Sequence, residues 1–372
     1  MRFGCVYFDD FGSEGWACIA SEEPRRITGS QDLASDVMWV TNLDWEGMRQ
    51  KSILDHPRFR ADNFLRSRLS SLSLELDMSN DGDVATRVQV FAEIIDRVCR
   101  LAESIFGVTE FKKDLPSSLR EAILTERDLR SYGSPVVDYA IEHATQSYQK
   151  CETPIQKGSK FYTWRFPRLD YAEYIFGFQI PTSRWTRVDI ETVPDVKQYL
   201  NEHLNDYPML CKIVISSIKN PTFAKIMPLG FGARQQRVWA TGQEVLHYMR
   251  YSDVAVSNIF RSDGYRELNL RLPSFDNMTG KISISMGILS ECCWKALSAK
   301  LSPRAAWYTS WDRISCCKTA MTLAEAGISV VSYSTGSLTL AIHPNQYEYT
   351  FEQCLKLGLT PPLNMIAHMN AM

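Results

Sequence analysis

The chain has 372 residues, 45% of them apolar and 23% charged, the make-up of an ordinary folded protein. This excludes a disordered chain, a collagen-like chain and a small disulfide scaffold. The formal net charge is −2, so no overall positive field draws the chain to nucleic acid, and such binding would need a local patch. At roughly 150 residues per domain, the length predicts two domains or three. No apolar run of about 18 residues occurs, so no membrane-spanning helix is predicted. Met1-Arg2-Phe3-Gly4-Cys5 lacks the charged-then-apolar order of a signal peptide, which predicts a cytoplasmic protein.

Alternation and turn residues predict strands at 2–8, 15–20 and 36–41. Helical spacing follows at 44–54 and 59–70. Leu72-Ser73-Leu74-Glu75-Leu76-Asp77 alternates like a strand, and Asp83 is placed to cap a long helix from Val84 to about Phe106. A short strand at 107–111 and helices at 116–129 and 136–148 come next. Thr153-Pro154 and Lys157-Gly158-Ser159 mark 151–160 as a linker. Beyond it, residues 160–188 read as β structure. A helix at 194–205, a strand at 209–217, a helix at 240–250 and strands at 265–272 and 281–288 follow. The chain closes with helices at 289–300 and 303–326, strands at 328–333 and 338–343, and a helix at 347–357. From 281 onward this order approaches a split βαβ arrangement. Residues 278–372 hold only 12 charged side chains, which predicts burial against the rest of the chain or a protein partner.

None of the ten cysteines forms a C-x-x-C pair, which argues against zinc or thioredoxin-type sites. Buried reduced thiols are expected, with Cys292-Cys293 and Cys316-Cys317 each turning one thiol inward and one aside. The six histidines are scattered, and no helix carries two of them at i, i+4.

The carboxylates are more informative. Strand one ends Val6-Tyr7-Phe8-Asp9-Asp10 and returns as Gly15-Trp16-Ala17. The third strand runs into Thr41-Asn42-Leu43-Asp44-Trp45-Glu46, which puts Glu46 in the first turn of a helix, where the dipole tolerates an acid. The fourth strand ends at Asp77. The helix from Val136 carries Asp138 in its first turn. These four segments resemble the ribonuclease H-like family: a strand ending in Asp, a Gly-containing turn and a G-W-A strand, then T-N-x-x-x-E, a later strand ending in Asp, and a final helical D-x-x-A. The resemblance covers about 150 residues. It implies a ribonuclease H-like domain over 1–150; with the linker at 151–160 and the element order beyond it, the chain is read as an α+β or mixed α/β protein whose residues 161–372 form a mixed antiparallel-sheet and helix domain. The resemblance also implies that Asp9, Glu46, Asp77 and Asp138 hold Mg²⁺ or Mn²⁺. Asp10 follows Asp9 directly, so either can be the first ligand. Two hard cations roughly 3.5–4 Å apart need shared oxygen ligands, and such a pair activates water and stabilises a leaving oxygen in phosphodiester hydrolysis.

Other motifs compete. Val188-Asp189-Ile190-Glu191-Thr192 resembles the first motif of proofreading-type 3′–5′ exonucleases, with Asp276 and Tyr308-x-x-x-Asp312 as its later partners. Gly230-Phe231-Gly232-Ala233-Arg234-x-x-Arg237 has the composition of an anion-binding turn. Asp77-x-Ser79-x-Asp81-Gly82-Asp83 opens like a calcium loop, but its twelfth position is Val88 in place of Glu.

Residues 157–187 combine six basic side chains with nine aromatics. Lys160, Tyr162, Trp164, Arg165, Arg168, Arg184 and Arg187 are therefore expected to hold nucleic acid, with Arg234 and Arg237 adding to them. Rings stack on bases and arginines track phosphates. The alternative is a sheet core with arginines snorkelling at its edge. The reading is a metal-dependent nuclease with a nucleic-acid-gripping second domain. Its rivals are a non-enzymatic subunit of a nucleoprotein assembly, viral, phage or mobile-element, and an exonuclease centred on Asp189 and Glu191.

Overall fold

The structure, a computed structural model, describes residues 1–8, 15–53, 55–56, 58–60, 62–76, 78, 83–111, 114–123, 139–140, 149–167, 179–182, 184–228, 236–267, 280–298 and 303–370. The chain divides into two units: Met1–Thr125 with Tyr171–Phe176 and Leu270–Ala296, and Glu126–Asp170 with Gly177–Asn269 and Leu297–Met372. The protein is of the mixed α/β class, as expected. Among the described residues its first sheet is mixed and the other three are antiparallel.

In the first unit, β1 (Arg2–Phe8), β2 (Gly15–Ile19), β3 (Arg25–Ile27), β4 (Val37–Thr41), α1 (Trp45–Gln50), β5 (Phe59–Arg60), α2 (Asn63–Glu75), α3 (Val84–Phe106) and α4 (Leu115–Ile123) follow one another. The sheet order is β3-β2-β1-β4-β5. The pairs β1–β2 and β2–β3 are antiparallel, and β1–β4 and β4–β5 are parallel. Val6, Phe8, Val37, Trp39 and Met48 build the core on one face. On the other face, Phe3 meets Phe111 and Tyr7 meets Phe91 of α3. Asp83 caps α3 as predicted, accepting from Ala85 N at 3.0 Å, and Gly107 ends the helix at φ +66°, where a side chain would be strained.

The second unit contains β6 (Gln149–Lys150), β7 (Lys160–Arg165), β8 (Gln179–Pro181), β9 (Trp185–Val188), α5 (Val196–His203), β10 (Met209–Ile218), α6 (Pro221–Ile226), β11 (Gln236–Thr241), α7 (Gly242–Tyr248), β12 (Ser252–Ser262) and β13 (Tyr265–Glu267). After α8 (Gly280–Ser298), which lies in the first unit except for its last two residues, come α9 (Pro303–Glu325), β14 (Ser329–Ser334), β15 (Ser337–Ile342), α10 (Tyr347–Lys356) and α11 (Leu363–Asn370). The sheets β11-β10-β12-β9 and β6-β14-β15-β7 share one apolar core with α9, and β13 pairs with β8.

Several expectations are corrected. Residues 72–75 are helical, because Leu65, Leu69 and Leu72 form a buried stripe that overrides the local alternation. Residues 281–288 are likewise part of α8, where Met286, Leu289, Cys292, Cys293 and Ala296 are buried at helical spacing, so the split βαβ reading fails. Residues 107–111 form no strand. The segment 151–160 is not a free linker: Cys151 N donates to Val331 O at 2.8 Å and Glu152 N to Lys225 O at 2.7 Å. All ten cysteines are free and buried, both members of each adjacent pair included. β12 lies outside the expected elements because its face alternates only partly.

Two buried polar groups mark the second unit. Glu244 of α7 accepts from Arg313 Nε at 2.7 Å and Nη2 at 2.8 Å, from Tyr248 Oη at 3.0 Å and from Thr241 N at 3.2 Å. Burial alone would raise its pKa, but Arg313 and these bonds hold the carboxyl below the usual carboxylate range. Replacing Arg313 by Met strands this charge, and the expected cost is roughly 3–5 kcal/mol in urea unfolding at pH 7. His247 is also buried, among Phe223, Tyr248 and Tyr251, and neither ring nitrogen has a hydrogen-bond partner among the described residues. Burial, reinforced by Lys318 and Arg250 and opposed by Glu244, pushes its pKa from 6.5 down to about 4. The unfolded chain therefore takes up the proton first as pH falls. Stability that is complete above pH 6.5 is lost toward pH 4, by at most roughly 3 kcal/mol. His247→Phe is expected to flatten the stability-against-pH curve in that window, measured by urea midpoints.

Candidate functional site

β1 and β4 run parallel, with Arg2 opposite Val37 and Val6 opposite Thr41. Their C-terminal ends therefore share one rim of the sheet, the place where open α/β sheets bind ligands. Asn42 joins the two ends. Its Oδ1 accepts from Phe8 N at 3.0 Å, and its Nδ2 donates to Phe8 O at 2.8 Å. Thr41, buried beside it, accepts from Leu43 N at 3.2 Å and turns the chain outward. Asp44 then caps α1, accepting from Gly47 N at 2.8 Å. Trp45, 64% exposed, and the exposed Glu46 form the first turn of α1. The glycine of the Gly15-Trp16-Ala17 segment has a packing reason, since a Cβ there would lie 2.6 Å from the Phe8 ring.

Two cations flank the end of β1. Lys51 Nζ lies 5.5 Å from the Phe8 ring centroid on one face. On the other, the Arg87 guanidinium lies 5.5 Å from the Tyr7 ring centroid, and its Nη1 donates to Tyr7 Oη at 3.5 Å. Arg87 is buried and stands four residues before Phe91 on the inward stripe of α3. Sequence reading missed it, although a lone basic residue in register with an apolar stripe was the available signal.

Of the expected metal ligands, Glu46 alone is described. Its carboxylate is met by Gln50 Nε2 at 3.5 Å, a weak contact that leaves its oxygens open to a hard cation. Asp9, Asp10, Asp77 and Asp138 lie outside the described residues, as do Arg168, Arg234 and Asp276. Asp9 and Asp10 follow Phe8 directly in sequence. Asp77 follows the end of a helix, so the strand expected to deliver it is absent. Among the described residues, no group of three or more His, Cys, Asp or Glu side chains is arranged to hold a metal.

The other motifs fall elsewhere. Asp189 caps the 3₁₀ turn Ile190–Thr192, accepting from Glu191 N at 3.2 Å, and both acids are exposed. Asp312 is fully buried in α9 and accepts from Gly336 N at 2.7 Å, holding the β14–β15 turn, so it cannot serve as an exonuclease ligand at an open site. Tyr162 and Trp164 are corrected to core residues at 1% and 0% exposure. Tyr162 packs on Tyr347 and His368, and Trp164 on Phe351, so neither offers a face to a base. Lys160, Arg165, Arg184 and Arg187 are exposed, and Arg237 stands opposite Val214 in β11.

No family model and no curated protein matches the sequence. Among solved structures, the chain is similar to Phi29 DNA polymerase complexed with primer-template DNA and incoming nucleotide substrates. That match has 9% identity and a TM-score of 0.47, over 94% of this chain and 82% of that one. The same polymerase complexed with single-stranded DNA matches at 12% identity and a TM-score of 0.39, over 72% of this chain and 53% of that one. At that level of superposition the likeness establishes no shared activity. Among the described residues no helix is long and apolar enough to cross a membrane.

Asn42→Ala strips the partner from both backbone groups of Phe8. The expected result is a loss of about 1–3 kcal/mol in urea unfolding, with faster amide exchange at Phe8 than in the parent chain.

Proposed function

We propose that this chain is a nuclease that hydrolyses phosphodiester bonds with the help of a divalent metal at the rim where β1 and β4 end. The observation that carries this reading is the Asn42 bridge. It ties Phe8, the residue before Asp9 and Asp10 in sequence, to the segment that leads into Glu46. The sheet order β3-β2-β1-β4-β5, with three antiparallel strands and two added in parallel, supports the ribonuclease H-like resemblance of the sequence.

Carboxylate oxygens are the right donors for Mg²⁺ or Mn²⁺. Glu46 and Asp9 or Asp10 would hold the ion, with Asp77 and Asp138 as the remaining ligands. A divalent ion held there would supply an activated water and stabilisation of the leaving oxygen. The chain's own groups do the rest. Asn42 holds the end of β1 to the segment that leads into Glu46. Lys51 and Arg87, which flank the end of β1, would offset the mutual repulsion of carboxylates gathered there. Nucleic acid is the proposed partner.

Glu46→Gln keeps the size of the side chain and removes its charge. The expected outcome is a loss of about 100-fold or more in Mg²⁺-dependent cleavage, measured with labelled DNA, RNA and hybrid substrates, with the fold unchanged by circular dichroism. Binding of nucleic acid without cleavage of any substrate, with Mg²⁺ or Mn²⁺ present, would overturn the hydrolase reading in favour of a non-enzymatic nucleic-acid-binding subunit.

A further inference from the structure

The alternation that buries Tyr162 and Trp164 puts Phe161, Thr163 and Arg165 on the opposite, exposed side of β7. Register extends that side across the sheet. Lys150 stands opposite Ser332, Ser332 opposite Thr339 and Thr339 opposite Thr163. Directly opposed residues of antiparallel strands share a face, so one row presents a lysine and three hydroxyls. The Thr163 and Thr339 hydroxyls lie 3.3 Å apart. The flanking rows add Arg165 and Phe161, whose ring is 57% exposed. The four strands hold no carboxylate; Glu152, exposed two positions beyond Lys150, lies past the end of β6.

We propose that the exposed face of the sheet β6-β14-β15-β7 is a platform for single-stranded nucleic acid. Two exposed cations on strands that hold no acid suit a polyanion. Hydroxyls in a row donate to phosphate oxygens. A lone exposed ring selects a strand whose bases are unpaired, because a duplex keeps its base faces stacked. The platform needs no metal. It shares with the nuclease reading only the class of ligand.

The test is fluorescence anisotropy of the full chain with a labelled thymidylate oligomer of about 15 nucleotides, in EDTA. Phe161→Ala and Arg165→Gln are each expected to weaken binding roughly 10-fold. Arg165→Gln should also reduce the slope of log affinity against log salt by about 0.7. Lys197→Gln, an exposed cation of α5, should bind like the parent, and a readout taken without metal is separate from hydrolysis at the β1–β4 rim. Unchanged affinity in both surface variants would overturn the platform, as would equal affinity for a duplex of the same length or no binding in EDTA. A second measurement needs no variant: a bromouracil-substituted strand should photo-crosslink to the peptide containing Phe161, and crosslinks confined to other peptides would also overturn the proposal.

Discussion

The constraint on which the first unit depends is the parallel pairing of β1 with β4. Parallel strands cannot be joined by a tight turn, so the chain must cross over before it returns in the same direction. Here β2 and β3 occupy the interval, and β4 then enters on the free side of β1. The consequence is chemical. Two strands with the same direction end at the same rim, and whatever follows each of them starts from the same place. Asn42 makes this local, because one amide can donate and accept at once and so satisfies both backbone groups of Phe8. An aspartate there would lack the donor, and an aliphatic residue would lack both functions.

The second unit is organised by a different constraint, the cost of burying charge. Glu244 sits at the junction of α7 and α9 with every oxygen engaged, and Asp312 anchors the β14–β15 turn from inside α9. A buried charge such as Glu244 is costly unless it is paired and hydrogen-bonded. Glu244 and Asp312 specify how α7, α9 and the hairpin pack, and they explain why an acid on an apolar helix need not belong to an active site. In contrast, the acids of the α1 rim and of the Ile190–Thr192 turn stand in solvent, where a carboxylate costs little and is open to ligands.

Burial also reorganises the aromatic and basic segment. Its composition suggested stacking rings beside phosphate-binding arginines. In the sheet, period-two alternation divides the same residues into a core set, Tyr162 and Trp164, and an exposed set, Phe161, Thr163 and Arg165. Their partners on β15 and β14 then decide the character of the outer face, which is polar and hydroxyl-rich.

Much of the fold was legible without coordinates. β1, β2, β4, the Asp83-capped α3, β10 and the closing α9-β14-β15-α10 series follow from alternation, caps and turn residues, all of which act within a few positions of the chain. So does Glu46 in the first turn of a helix. Leu72–Leu76 and 281–288 misled because alternating Leu/Ser and Ile/Ser runs satisfy both periods over a short window, and only the wider stripe, set by what the helix packs against, breaks the tie. The sequence alone determined the local elements that alternation and caps specify, among them the first-turn position of Glu46, since propensity and capping are short-range. Tertiary structure alone decided that Phe8 and Asn42 meet, that Arg87 stands against Tyr7 and that Tyr162 and Trp164 face inward. Those facts depend on strand order and on the desolvation of whole faces, which arise between segments rather than within them.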